Sequence, residues 1–414
     1  MENGGGLSRR FIFGIGVLFL FSFLNVWAGP QRKTLKPLPR YWVVLPASTR
    51  AERSVIANFG VAIEEVTSTT VGGSCDYLTL SRLKQGNAKI LQSWPIELLP
   101  KVFPPRDADY HDYGETAADL AALASANPDL ASAYSAGPSL NGRSLWVLRI
   151  NSEVKGNGAS ARPGVIFLGT HHAREHLSTE VPLLLAKHLV NQYAKDPKVK
   201  ALLDSRDVYI IPMVNPDGVE YDIEQNDYRM WRKNVRDNGG GVLGVDLNRN
   251  YGYKWGTGGS SGNPGSEVYK GPAPFSEPET QAVKNFIESH PNIKMLLSFH
   301  TFSELILYPW GHTYDPVPDS RDRAVFEKMA KTMAAWNGYR PEQSSELYIA
   351  SGDTTDWAYG ERRIFAFTFE LTPKSMSQGG FYPGAGVING TFQANLEPCL
   401  YLISVAGDPY GVLR

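Results

Sequence analysis

Three short runs, far apart in the chain, carry side chains that could share one metal ion. They are His172-Ala-Arg-Glu175, the Ser-Phe-His that ends at His300, and the Phe-Thr-Phe-Glu-Leu around Glu370. Two histidines and one carboxylate leave an open position on a tetrahedral zinc, and a second carboxylate beside it can take a proton from an attacking water. That combination hydrolyses amides. A glutamate inside the apolar run Phe365 to Leu371 needs such a purpose or a partner, because burying a carboxylate is costly. On the residues alone, the ordinary reading of Glu370 is a salt-bridged glutamate at a sheet end.

Positioning these side chains requires a sheet. Apolar runs at Val165 to Gly169, Val208 to Val214, Ile293 to Phe299 and Ile364 to Leu371 read as strands. Between them lie helical patterns, as at Val181, Leu184, Leu185, His188 and Leu189, with Ser178 placed to cap the start. Strands alternating with helices predict an α/β fold with a mostly parallel, buried sheet from about Asp107 onward. Ligands of such sheets bind beyond the carboxyl ends of strands, where His172, His300 and Glu370 all fall. The run His172-Ala-Arg-Glu-His176 also matches the HxxEH of inverted zinc proteases. That motif needs a continuous helix, and here a strand precedes it.

The front of the chain is of different character. Residues 1–28 read as an export signal: Arg9 and Arg10, the apolar run Phe11 to Trp27, then Val26-Trp27-Ala28. Residues 40–66 read as strand, helix, strand, with a further helical stretch near Ser81 to Lys84, making a small α+β module within 29–106. Leu99-Pro-Lys-Val-Phe-Pro-Pro-Arg106 reads as its linker to 107–414. Cys75 and Cys399 are too few for a disulfide scaffold, and neither has a cysteine nearby with which to make a thiolate metal site. With 41 basic against 42 acidic residues, neither a nucleic-acid binder nor a polyanion is indicated, and nothing demands more than a monomer. Among the other histidines, His188 reads as a core residue on an apolar helix face. His111 and His290 read as exposed loop residues.

Nine runs together carry a resemblance: Thr170-His-His-Ala-Arg-Glu175, Asn215-Pro-Asp-Gly218, Trp231-Arg-Lys-Asn234, Gly244-Val-Asp-Leu-Asn-Arg-Asn250, Pro274-Phe-Ser-Glu-Pro-Glu279, Ser298-Phe-His300, Leu347-Tyr348, Asp356-Trp357 and Phe367-Thr-Phe-Glu-Leu371. In that order, the chain resembles metallocarboxypeptidases of the carboxypeptidase A type, peptidase family M14, over nearly all of its last three hundred residues. The resemblance implies that His172, Glu175 and His300 hold one zinc ion, the established ligand set of carboxypeptidase A. It makes Asp246 the partner of the free ring nitrogen of His172, Glu370 the general base and Arg232 the group that polarises the scissile carbonyl. Asn248 and Arg249 would clamp the terminal carboxylate, Tyr348 would close over the bound residue, and Arg174 would line the next subsite.

That set implies an exported exopeptidase that removes single C-terminal residues from peptides. In its pocket loop, Thr355 stands where the basic-specific enzymes carry an aspartate and the hydrophobic-specific ones an aliphatic residue. Asp353, two positions earlier, resembles the bacterial enzymes that accept both apolar and basic ends. The front module would be an activation segment, cut by a partner protease near Lys101 or Arg106. The alternatives are a zinc amidase acting on cell-wall peptides or other carboxylate-bearing amides, and a binding module that has lost catalysis.

Overall fold

The computed structural model describes residues 39–96, 107–153, 155–158, 160–224 and 228–414. The export signal and the linker with its two expected cleavage positions lie outside the described residues. The front module runs β1 (Arg40–Pro46), α1 (Arg50–Asn58), β2 (Ala62–Val66), β3 (Thr70–Asp76), α2 (Tyr77–Gln85) and β4 (Gln92–Pro95). Its four strands form an antiparallel sheet in the order β2-β3-β1-β4. α1 starts at a capping box: Thr49 accepts from the Glu52 amide at 3.2 Å, and the Glu52 carboxylate accepts from the Thr49 amide at 3.0 Å. Val43, Leu45, Ile56, Val61, Val71, Leu80 and Leu83 fill the space between the helices and one sheet face. From the other face Trp42 packs with Met230, Phe302 and Phe381, which belong to the rest of the chain.

β3 was not foreseen, because Thr-Val-Gly-Gly-Ser-Cys-Asp lacks the alternation of a half-buried strand. Its glycines have a use. A Cβ at Gly73 would lie 2.3 Å from the Ala62 carbonyl oxygen, so only glycine lets β2 approach this closely. Between Ile63 and Glu65 the pairing of β2 with β3 slips, leaving Glu64 as the extra residue of a bulge.

Residues 107–414 build an eight-stranded mixed sheet in the order β11-β10-β12-β9-β7-β8-β6-β5. The strands are β5 (Ala131–Pro138), β6 (Ser144–Ile150), β7 (Gly164–Leu168), β8 (Asp207–Ile211), β9 (Ile293–Thr301), β10 (Leu305–Tyr308), β11 (Arg340–Gln343) and β12 (Phe365–Leu371). The central β12-β9-β7-β8 run is parallel, as is the β10-β11 pair, whereas β10/β12, β8/β6 and β6/β5 are antiparallel. The four strands expected from apolar runs are this central run. β5 and β11 were missed because they are half-polar and largely unburied, and β6 and β10 because their apolar stretches, Leu145 to Leu148 and Leu305 to Tyr308, are only four residues long, too short for periodicity to tell strand from helix.

The helices are α3 (Tyr113–Ala126), α4 (Leu177–Gln192), α5 (Pro197–Ser205), α6 (Pro216–Asp222), α7 (Pro278–Ser289), α8 (Ser320–Asn337), α9 (Thr354–Arg362) and α10 (Ile388–Val405). Strand alternation sends Val165 and Phe167 towards α4, α8 and α10, and Ile166 and Leu168 towards α7 and α9. The helix-flanked α/β architecture is therefore as expected.

Three local expectations are corrected. Ser178 does not cap α4; the residue before that helix, His176, makes no side-chain cap, and Ser178 Oγ accepts from the Thr170 amide at 3.0 Å. His290 is buried, its Nδ1 2.7 Å from the Phe286 carbonyl, because the end of α7 turns it inward. His111 is partly buried, with Nδ1 2.8 Å from Glu180 and Nε2 3.2 Å from Asp119. His188 is half-buried, its ring 6.0 Å from that of Phe392 on α10.

Candidate metal centre and substrate cleft

After β7 the chain turns instead of entering a helix, and α4 begins only at Leu177. The HxxEH reading therefore fails, and His176 pairs with Asp222 at 2.9 Å. Asn215 fastens the turn: its amide donates to the carbonyls of His171 (3.2 Å) and Lys233 (3.1 Å), and its oxygen accepts from the Gly218 amide (3.0 Å). A Cβ on Gly218 would lie 2.6 Å from that side chain. The Asn215 and Trp231 runs thus serve to hold two loops against His171 and His172.

His172, Glu175 and His300 converge, all buried, with one ligand atom from each within 4.8 Å of the others. His172 Nδ1 lies 2.7 Å from Glu175 Oε1, and His300 Nδ1 lies 3.0 Å from Glu175 Oε2 and 3.2 Å from His172 Nδ1. The edge of a tetrahedron around zinc with 2.0–2.1 Å bonds to nitrogen is about 3.3 Å, so the spacing fits. The outer nitrogens fit as well. His172 Nε2 faces Asp246 Oδ1 at 3.2 Å, and His300 Nε2 faces Ser298 Oγ at 3.1 Å. With protons on those outer nitrogens, both Nδ1 atoms and the Glu175 carboxylate are acceptors pointed at one another. Such a cluster calls for a cation. Burial alone would raise the pKa of Glu175, but His172 and His300 outweigh it and hold the carboxyl below its ordinary range.

Glu370 pairs in register with His300 across β12 and β9, which brings both into one cavity of about 380 Å³. Burial, then the nearby Glu175 and Glu64 carboxylates, push its pKa well above the ordinary value. Arg232 approaches Asp246 Oδ2 through Nε and Nη2, each at 3.0 Å, so Asp246 holds His172 and Arg232 together. Asn248, Arg249 and Tyr348 line the same cavity. Arg249 Nη2 lies 3.5 Å from the Tyr348 hydroxyl, and its Nη1 donates to the Asn248 carbonyl at 2.7 Å.

The front module roofs this cavity. Ile63 and Glu64 line it, and the Glu64 carboxylate contacts Arg174 directly and lies 3.5 Å from Arg232 Nη1. Tyr348 donates to the Ile63 carbonyl at 3.3 Å, Arg53 of α1 bonds the carbonyls of Glu346 and Leu347, and the Ile349 amide donates to Ser54 Oγ at 2.7 Å. The tyrosine segment is thus pinned by the module.

Comparison with known proteins now bears on this geometry. The zinc carboxypeptidase family profile matches residues 116–398. The chain belongs to the zinc carboxypeptidase family. A zinc carboxypeptidase of Saccharothrix mutabilis subsp. capreolus is 41% identical over 303 residues, covering 71% of this chain and 68% of that one. Mouse carboxypeptidase A4 is 35% identical over 274 residues, covering 65% and 62%. The matches therefore span about two thirds of these relatives' own length. Among solved structures, thrombin-activatable fibrinolysis inhibitor superposes with a TM-score of 0.71 at 25% identity, covering 89% of this chain and 99% of that one. That coverage exceeds residues 107–414, so the likeness of fold takes in the front module. By family this chain is a metallocarboxypeptidase, and zinc is its cofactor.

Three expected pocket residues, Asp353, Thr355 and Arg174, lie elsewhere than in the cavity wall. Asp353 caps α9, its Oδ1 accepting from the amides of Thr355 (2.9 Å) and Asp356 (2.9 Å) and from the Thr355 hydroxyl (2.7 Å). Its Oδ2 is buried and makes no hydrogen bond among the described residues. Arg174 is fully buried beneath the module, its guanidinium 4.3 Å from the Phe381 ring. Sequence reasoning missed Glu64, His171, Ser298 and Thr354, all of which touch the site. The doubled histidine at 171–172 and the Ser298-Phe-His300 run were signals for two of them; Glu64 and Thr354 carry no motif.

Proposed function

We propose that the protein is an exported zinc carboxypeptidase that removes single C-terminal residues from peptides. One observation carries this: Arg249, Asn248 and Tyr348 share a cavity with the metal triad. A carboxylate clamp beside a hydrolytic centre selects a chain end, and an internal protease has no use for it.

When bound, zinc supplies a Lewis acid that polarises the carbonyl and lowers the pKa of water. The remaining work falls to side chains of this chain. Glu370 takes a proton from the attacking water onto its carboxylate and returns it to the leaving amine. Arg232, oriented by Asp246, donates to the carbonyl oxygen as negative charge gathers there. Arg249 and Asn248 hold the terminal carboxylate, Tyr348 closes over the terminal residue, and Arg174 contacts the residue on its amino side.

The pocket accepts apolar and basic ends. Asp353 supports this reading because one of its oxygens is spent on the α9 N-terminus while the other is buried and available to a guanidinium or ammonium. Thr355 holds that carboxylate in place. Asp353→Asn keeps the capping oxygen and removes the charge. Turnover of C-terminal Arg should then drop about tenfold while C-terminal Leu is spared; equal losses would sink the assignment. The front module acts as an activation segment, Glu64 engaging the two arginines that substrate needs, and a protease releases it near Lys101 or Arg106.

The test is to treat the chain with trypsin, then incubate it with peptides ending in Phe, Leu, Arg, Lys or Asp, with and without a zinc chelator, and weigh the products. Loss of one terminal residue, abolished by chelation, is expected. No cleavage of any peptide by the zinc-loaded protein would overturn the reading and leave the amidase and the binding module.

A further inference from the structure

Behind the cleft, a string of buried polar side chains joins its two ends. Asn248 Oδ1 accepts from the Thr354 amide (3.0 Å) and the Thr354 hydroxyl (3.0 Å). Thr354 Oγ1 lies 3.0 Å from His171 Nε2, which also faces the Tyr251 hydroxyl at 2.9 Å. His171 Nδ1 lies 3.3 Å from Ser298 Oγ, and Ser298 Oγ lies 3.1 Å from His300 Nε2. His171 is 0% exposed, and Ser298 and Thr354 are each 1% exposed, so this string has no competing solvent.

Proton bookkeeping allows one consistent direction along it. A backbone amide can only donate, so the atom of Asn248 facing Thr354 is its oxygen. The Thr354 hydroxyl spends its proton on the same oxygen and must accept from His171 Nε2–H. His171 Nδ1 is then the acceptor for the Ser298 hydroxyl, whose oxygen accepts from His300 Nε2–H. Both ends come out as the chemistry requires: the Asn248 amide nitrogen is left to face the cleft as a donor, and His300 Nδ1 is left as a lone pair towards the triad.

We propose that Thr354 is the positioning residue of the carboxylate clamp: its backbone amide sets which way the Asn248 amide points, its hydroxyl holds the amide at that angle, and His171 and Ser298 tie the hydroxyl's direction to the tautomer of His300. Without the hydroxyl the amide oxygen keeps one of its two donors, and the side chain is free to swing off the line on which its nitrogen meets the substrate carboxylate. This inference rests on the carboxypeptidase reading above.

The experiment compares Thr354→Val with the native chain after trypsin release. Valine keeps the volume and the backbone donor and removes the hydroxyl. Expected is a roughly tenfold rise in KM for free-carboxylate peptides, about 1.4 kcal/mol, with kcat within about twofold. Inhibition by acetohydroxamate, which carries no carboxylate, and the zinc content should be unchanged, and Thr354→Ser should restore KM. A native KM with Thr354→Val overturns the proposal, as does equal weakening of the hydroxamate, which marks general damage to the site. Should valine prevent folding, Thr354→Ala removes the hydroxyl without branching and is read in the same way. If instead the native enzyme binds free-carboxylate peptides no better than their C-terminal amides, the carboxypeptidase reading itself has failed.

Discussion

The cleft has a floor and a roof, and both are made of buried charge, yet they are built differently. On the floor, Asp246 is shared by His172 and Arg232, and each outer ring nitrogen of the two metal-facing histidines has a partner on the same folded unit. The roof seam is less complete. Asp76 Oδ2, Glu267 Oε2 and Arg174 Nε are buried there without a hydrogen bond among the described residues, and Arg40 and Arg174 approach Glu267 only to 3.8 and 3.7 Å. Burial at this seam also pushes the Lys233 ammonium down to about 8. Imperfectly paired buried charge adds little net stability. A floor must survive many turnovers, whereas a roof that is removed, as proposed above for the front module, gains nothing from being permanent.

The largest effect expected from breaking the floor is Glu370→Gln. Losing the proton carrier should cut kcat by about 10²–10⁴, while zinc content and the affinity for a non-cleaved peptide analogue stay as in the native chain. Equal loss of zinc would show that Glu370 belongs to the metal set instead.

A buried carboxylate outside the cleft tests stability apart from catalysis. Glu279, at the start of α7, is fully buried; it accepts from the Leu140 amide at 2.9 Å and faces Asn234 Nδ2 at 3.3 Å. Burial, then the nearby Glu277, pushes its pKa up to about 7. Below its ordinary value the group is protonated whether the chain is folded or not. Between that value and about 7 only the folded protein keeps the proton, so stability falls as pH rises through this window and levels off above it. Glu279→Gln should flatten the profile, gaining up to about 3 kcal/mol relative to the native chain between about pH 5 and pH 8. Parallel profiles in denaturant titrations would refute this, and the difference should persist after the module is removed.

Breaking the roof costs less. Glu64→Gln keeps the shape and removes the charge that faces Arg174 and Arg232, so peptide turnover by the uncut chain should rise about tenfold, close to 1.4 kcal/mol. The trypsin-released enzyme should be indifferent. If the uncut chain is as active as the released one before any substitution, the roof is no inhibitor.

The same contrast decides what was legible in the sequence. The floor announced itself because its ligands follow apolar strands, and because chemistry restricts each position to one or two residue types. His172, His300 and Glu370 each fall near a strand end that hydropathy alone locates. Glu64 gave no such signal. In Ala-Ile-Glu-Glu-Val alternation alone puts two adjacent glutamates on opposite faces, and which of them enters the cleft depends on the bulge opposite Gly72 and Gly73. Thr354 was equally silent, and Ser298 was visible only as the head of the His300 run, since a hydroxyl that relays a hydrogen bond is typed by its neighbours in space. Asp353 shows a mixed case: the resemblance marked it as a pocket residue, whereas its use as the cap of α9, which leaves one oxygen over, comes from the fold.

The smallest predicted effect asks whether the roof's own stability sets its hold. α1 carries Arg53, Ser54 and Asn58, which bond Glu346, Leu347, Ile349 and Gly259 on the other side of the seam. None of these side chains is part of the capping box at Thr49 and Glu52. Thr49→Ala removes one cap hydrogen bond and should cost about 1 kcal/mol of helix stability, touching no seam contact directly. If docking requires a formed α1, trypsin should cut the uncut variant several times faster than the native chain, while the released enzyme hydrolyses peptides at the native rate. Equal cleavage rates would mean that the seam itself holds α1 in its helical form, and that the roof is stabilised by docking more than by its own fold.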